Sequence, residues 1–156
     1  MTVYLIRHAS AGHRNSGSDE DHLRTLDEFG LAQANLIATT LGQSAVTELY
    51  SSRATRCIQT LEPLGQQLGL SVATETTLFE GSQPEASLSF LLALADKSVA
   101  LCSHGDIIPS LVAMLQRRGA EVGHNRGFAK GSIWNINFAA DGTPAKASYQ
   151  PINPTS

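Results

Sequence analysis

A chain of 156 residues with 42% hydrophobic content is long enough to bury a single core, so residues 1–156 are read as one globular domain. Lys and Arg number 11 against 14 Asp and Glu, and the net charge of −3 argues against nucleic-acid binding through bulk positive charge. The longest apolar stretches, such as Phe90 to Ala95, are far too short to span a bilayer, so no membrane partner is expected.

The chain opens on Thr2 to Ile6, a β-branched and apolar run that predicts a buried strand. Arg7 and His8 interrupt that run at once, which is not a signal-peptide pattern, and a cytoplasmic location is expected. Ala9 to His22 is rich in Gly, Ser and Asp and predicts a long loop, a feature often tied to function. Leu31, Ala34, Ile37, Ala38 and Leu41 recur at helical spacing, so a helix is predicted over Asp27–Leu41, with Gly42 stopping it. Val46 to Tyr50 predicts a second strand. Ser51 and Ser52 follow at a strand-to-helix junction, where hydroxyls can cap. The next helix is predicted from about Ala54 to Leu68, broken or kinked at Pro63.

Leu70 to Thr74 predicts a third strand and Thr76 to Gln83 a loop. Ser82-Gln83-Pro84-Glu85 has the pattern of a capping box and predicts a helix to about Ala95. Ser98 to Cys102 is a continuous apolar run and predicts a fourth buried strand. Ser103-His104-Gly105-Asp106 comes next, then a helix to about Arg118. Gly119 to Lys130 reads as loop, Ser132 to Phe138 as a half-exposed strand, and Lys146 to Gln150 as a last edge strand. Strands alternating with helices imply an α/β fold with a largely parallel sheet, whose buried strands are apolar throughout. Cys57 and Cys102 both lie in apolar sequence. One disulfide is arithmetically possible, but two buried packing thiols in a reduced compartment is the reading adopted.

Ligand sites in open α/β sheets form beyond the carboxyl ends of the strands. The first strand ends on Arg7, His8 and Ser10, the second on Ser51, Ser52, Arg53 and Arg56, the fourth on Ser103, His104 and Asp106. If these strands are neighbours, two imidazoles and at least two guanidiniums converge. Guanidinium offers paired donors that match phosphate oxygens, and imidazole can attack phosphorus. A metal site on His8 and His104 is the competing reading, but no third ligand stands at suitable spacing, so neither metal nor cofactor is expected.

Leu5-Ile6-Arg7-His8-Ala9 resembles the N-terminal signature of the histidine phosphatase superfamily, also called phosphoglycerate-mutase-like. Ser51-Ser52-x-x-x-Arg56-Cys57-x-x-Thr60 resembles its second arginine motif, and Ser103-His104-Gly105 its second histidine motif. The three occur in the family's order across nearly the whole chain. The resemblance implies a three-layer α/β/α sandwich and phosphorylation of His8, with Arg7, Arg56 and His104 completing the phosphate pocket. Leu78-Phe79-Glu80 matches the family's Leu-x-Glu pattern and makes Glu80 the implied general acid. Asp106 is second choice, because another branch places its acid just after the second histidine and Gly105 intervenes here. Ser10 and Gly105 are further candidates for phosphate contact.

Ala9 replaces the family's usual Gly, and with the short chain it resembles the small SixA-type phosphohistidine phosphatases rather than the mutases. Arg56-Cys57-x-Gln59-Thr60, Glu80-Gly81, Cys102 to Pro109 and Lys130-Gly131-Ser132-x-Trp134 also resemble the phosphatase domain attached to some actinobacterial Nudix hydrolases. The implied partner is a phosphorylated substrate: a small molecule, a nucleotide or a phosphohistidine protein. A non-catalytic phospho-ligand binding module is the alternative of another class. Arg53 is read as solvated or paired with Asp or Glu; Arg14, Arg24 and Lys130 as solvated rather than outer substrate contacts; and Ser103 as a cap.

Overall fold

The computed structural model describes residues 1–13 and 20–154. Seven strands form one sheet: β1 (Thr2–Arg7), β2 (Glu48–Ser51), β3 (Val72–Thr74), β4 (Val99–Ser103), β5 (Glu121–Val122), β6 (Ile133–Phe138) and β7 (Pro144–Gln150). The helices are α1 (Glu28–Leu41), α2 (Thr55–Leu68), α3 (Pro84–Leu92) and α4 (Ile108–Arg117). Strand order is β3-β2-β4-β1-β6-β7-β5. The pairings β2–β3, β2–β4, β1–β4 and β5–β7 are parallel, whereas β6 is antiparallel to both β1 and β7.

Side chains alternate across the central strands and feed two cores. Val3 and Leu5 of β1 and Val99 and Leu101 of β4 pack with Leu91, Leu111 and Leu115 of α3 and α4. Ile6, Ala100 and Cys102 point the other way, onto Ile37, Leu41, Leu61 and Leu64 of α1 and α2. The architecture is therefore three layers, α/β/α, with a mostly parallel sheet, as the phosphoglycerate-mutase-like resemblance implied.

Several local expectations are corrected. Pro63 lies inside α2, which runs on to Leu68. A proline removes one ladder bond, and the packing of fully buried Leu61 and Leu64 on either side of it keeps the helix going. The capping box does not form. Gln83 is the N-cap without a side-chain bond, Pro84 is the first helical residue, and the Ser82 hydroxyl instead donates to the Thr76 carbonyl at 3.0 Å. Ser103 is not a cap either: its hydroxyl donates to the Leu78 carbonyl at 2.7 Å. Gly42 ends α1 in a right-handed conformation. A Cβ there would meet the end of the exposed Gln67 side chain, which can move aside, and the Ala38 carbonyl oxygen at 2.8 Å. β7 is not an edge strand, because the two-residue β5, inside the segment read as loop, pairs along its outer side. No described helix is long and apolar enough to cross a membrane.

Candidate active site

The sheet register assembles the site. β1 and β4 lie side by side with Arg7 opposite Ser103, so the next residues, His8 and His104, leave the sheet together. The His8 amide donates to the Ser103 carbonyl at 3.0 Å, and the two imidazole centroids stand 5.5 Å apart. β2 flanks β4 on its other side with Ser51 opposite Cys102, and α2 begins four residues later with Arg56 in its first turn. A cavity of about 720 Å³ opens over these strand ends. Arg7, His8, Arg56 and His104 line it together with Glu80, Gly81, Gly105 and Asp106, and Arg24 and Lys130 complete its wall.

Both arginines are held with donors to spare. Arg7 donates from Nη1 to the Phe128 carbonyl at 2.7 Å and lies flat against Gly105, where a Cβ would come within 2.7 Å of the guanidinium carbon. Arg56 is 1% exposed. Its Nη1 donates to the Asp21 carbonyl at 3.1 Å and sits 3.6 Å from that residue's carboxylate, and its Nη2 reaches Glu80 Oε1 at 3.2 Å. Nε of each arginine is buried without a hydrogen-bond partner. Such donors are costly in a folded protein and suit an incoming oxyanion.

His8 is oriented by its own backbone neighbour. Nδ1 lies 2.9 Å from the Ala9 carbonyl, which can only accept, so Nδ1 carries the proton and Nε2 keeps a lone pair. Burial, and then the fields of His104, Arg56 and Arg7, push its pKa down to about 3 against the opposing pull of the Ala9 carbonyl. His8 is thus neutral at physiological pH, with a lone pair on Nε2. Above about pH 6.5 the ring is neutral both folded and unfolded. As pH falls from there towards 3, the unfolded chain gains a proton that the folded one refuses, and stability declines. The thermal midpoint should therefore fall between pH 6.5 and 4 more steeply in the wild type than in His8→Ala; parallel profiles would refute the depressed pKa.

His104 has the complementary arrangement. Its Nδ1 faces Arg56 Nη2 at 3.4 Å, and a guanidinium only donates. Nε2 therefore bears the proton and donates to the Ser52 hydroxyl at 2.8 Å, which also accepts from the Ala54 amide. Ser52 was read as a possible cap and as part of the second arginine motif, but its bond to a histidine 52 residues away was not anticipated.

The structure brings Arg7, His8, Arg56, His104, Glu80 and Gly105 to one cavity, and Asp106 joins them. Ser10 is turned away: its hydroxyl donates to Asp27 at 2.7 Å and its amide to Gln33 Oε1 at 2.8 Å. Arg24 and Lys130, read as solvated, both line the cavity, with Arg24 ion-paired to Asp21 at 3.2 Å. Arg53, read as solvated, is exposed, and its guanidinium stacks 4.0 Å above the Phe79 ring. Arg14 lies outside the described residues. Gln33 was missed. It is buried on α1, bridges the Ser10 amide to the Lys130 carbonyl, and could have been noticed as a polar residue beside the helix's apolar stripe. Cys57 and Cys102 are free and buried. Among the described residues no three metal-ligating side chains come together.

Residues 3–83 match the model of the histidine phosphatase superfamily (branch 1), and the chain belongs to that superfamily. The structure of the protein histidine phosphatase SixA complexed with tungstate superposes over 99% of this chain and 97% of that one, with a TM-score of 0.75 and 25% identity. A mycobacterial glucosyl-3-phosphoglycerate phosphatase complexed with VO3 shares the fold, with a TM-score of 0.73 over 99% of both chains at 19% identity. An 8-oxo-(d)GTP phosphatase of Mycolicibacterium smegmatis is 33% identical over 153 residues. That alignment covers 95% of this chain and 47% of the relative, so the chain spans about half that protein's length. The family model and the named relatives agree on a phosphatase, and the SixA structure matches this chain over nearly its whole length.

Proposed function

We propose that this chain is a metal-independent phosphatase that hydrolyses a phosphomonoester or phosphoramidate through a phosphohistidine on His8. The observation that carries the reading is the pairing of a neutral, oriented His8 with two buried arginine N–H groups that have no protein partner. His8 Nε2 attacks phosphorus in line. The P–Nε2 bond forms as the bond to the leaving oxygen or nitrogen breaks, and Arg7, Arg56 and His104 stabilise the charge on the transferring group. The phosphoryl group competes with Glu80 for Arg56 Nη2, which frees that carboxyl to turn to the leaving atom, protonate it, and then take a proton from the water that releases phosphate from His8. Alkaline quenching during turnover of a 32P-labelled substrate should leave label on His8. Turnover without label on His8 would remove the covalent step; binding of phosphate or vanadate without turnover would make the chain a binding module.

Glu80 and Asp106 both face the cavity and both are engaged, Glu80 Oε1 by Arg56 Nη2 at 3.2 Å and Asp106 Oδ2 by the Gly81 amide at 2.9 Å. Glu80→Gln should lower kcat by roughly 10²–10³-fold on an alkyl phosphate, whose leaving group needs a proton, and far less on p-nitrophenyl phosphate. Asp106→Asn keeps an acceptor for Gly81 and should lose less than tenfold on both. The reverse ranking on the alkyl phosphate would make Asp106 the acid.

The proposed substrate range includes phosphohistidine on a protein, by the SixA likeness, and a nucleotide or other small phosphorylated molecule as the second reading. The second reading is favoured by the 33% identity to the 8-oxo-(d)GTP phosphatase and by Arg24 and Lys130, which extend positive charge beyond the phosphoryl pocket. Comparing kcat/KM on a phosphohistidine carrier protein with a panel of nucleoside mono- and diphosphates separates the two.

A further inference from the structure

We infer that Gln33 is a positioning residue whose side-chain amide holds the peptide group that orients the His8 ring; the inference rests on the proposed role of His8 as nucleophile. Gln33 lies on α1 and is 3% exposed. Its Oε1 accepts from the Ser10 amide at 2.8 Å, and its Nε2 donates to the Lys130 carbonyl at 2.8 Å. The Ser10 N–H and the Ala9 carbonyl are the two ends of one planar peptide group. That carbonyl accepts from His8 Nδ1 at 2.9 Å. Turning the plane away from Gln33 therefore swings the acceptor of the His8 proton with it.

The other end of the amide acts on the same stretch of chain. The Lys130 carbonyl and the Gly131 N–H also share one peptide group, and the Gly131 amide donates to the Arg7 and His8 carbonyls at 3.1 Å each. Gln33 thus closes a ring of hydrogen bonds. It runs from the side-chain amide through the Lys130–Gly131 peptide to the His8 carbonyl, then along Ala9 to the Ser10 N–H. Gly131 makes room for the amide: its φ is +78°, and a Cβ there would stand 2.8 Å from Gln33 Cδ. Other tethers hold the neighbouring groups. Thr60 accepts from the Ala9 amide, which belongs to the preceding peptide. Asp27 accepts from the Ser10 hydroxyl and donates to the Ser10 carbonyl, which belongs to the following one. Among the described residues, the Ser10 N–H donates to Gln33 alone. Without that acceptor the plane between Ala9 and Ser10 can turn about its two flanking dihedrals towards another one, and the proton on His8 is no longer held on Nδ1. Gln33 does not line the cavity, so its effect falls on the transfer step rather than on anion binding.

The test compares Gln33→Met, which keeps the length and removes the amide, with Gln33→Glu, which keeps an oxygen for the Ser10 N–H. Gln33→Met should lower kcat on p-nitrophenyl phosphate by about 10- to 100-fold, the size of effect expected when a reacting group is slightly misplaced. Its affinity for vanadate should change less than about threefold, and Gln33→Glu should recover most of the lost rate. In 15N NMR of the free enzyme, His8 should show a protonated Nδ1 and an unprotonated Nε2 in the wild type and in Gln33→Glu, and a tautomer mixture in Gln33→Met. Wild-type turnover in Gln33→Met would overturn the inference. So would a loss of rate in Gln33→Glu as large as that in Gln33→Met, or a loss of vanadate affinity that matches the loss of rate. A wild-type His8 protonated at Nε2 would overturn it even if Gln33→Met failed to fold. His8→Ala with full turnover would instead remove the phosphohistidine reading itself, independently of what the Gln33 variants do.

Discussion

His8→Ala should lose at least roughly 10⁴-fold in kcat on an aryl phosphate, because it removes the proposed acceptor of the phosphoryl group. The loss should fall on kcat rather than on anion affinity, since Arg7, Arg56 and His104 remain in place to bind phosphate. The fold should survive. The ring is buried but lines the cavity, so deleting it forfeits some packing and one hydrogen bond to the Ala9 carbonyl, about 1 kcal/mol for the bond. Steady-state kinetics with circular dichroism on the same samples decide it: a folded variant with full activity ends the assignment.

The second large effect concerns Arg56. Its guanidinium joins three separate segments: the Asp21 backbone and carboxylate, Glu80 on the loop after β3, and His104 at the end of β4. Arg56→Ala should therefore reduce kcat/KM by roughly 10²–10³-fold, the usual cost of removing one donor from a site where transition-state charge collects. It should also cost about 3 kcal/mol of stability, because two carboxylates lose a buried partner. Arg56→Lys should recover little, since one ammonium cannot span Asp21 and Glu80 in the fixed fork that guanidinium provides. Denaturant unfolding and kinetics on the same variants separate the two losses. An alanine variant within tenfold of wild-type activity would reduce Arg56 to a structural ion pair.

The elements read from sequence were those with a strong periodic signal. α1 was legible from its apolar spacing; Asp27, taken as its first residue, is its N-cap and accepts from the Gly30 amide at 2.8 Å. β1 and β4 were legible because strands covered on both faces must be apolar throughout. The failures share a cause. Pro63, Ser82 and Ser103 were judged by local chemistry, and each was decided by a partner distant in sequence or by packing against the sheet. The ring beneath Arg53 was missed for the same reason, since Phe79 lies 26 residues further along and no charge pattern indicates it.

The sequence by itself determined the alternation of strands and helices, the apolar runs that must be buried, and the family carried by Arg7-His8, Arg56 and His104, because periodicity and motif order are written along the chain. Only the tertiary structure decided that β4 lies between β1 and β2, and hence that His8 and His104 emerge side by side with Ser52 behind His104. Strand order is a matter of which apolar faces pack and which backbone groups pair across the sheet. Those pairings join residues about 50 or 100 positions apart, where no local pattern records them.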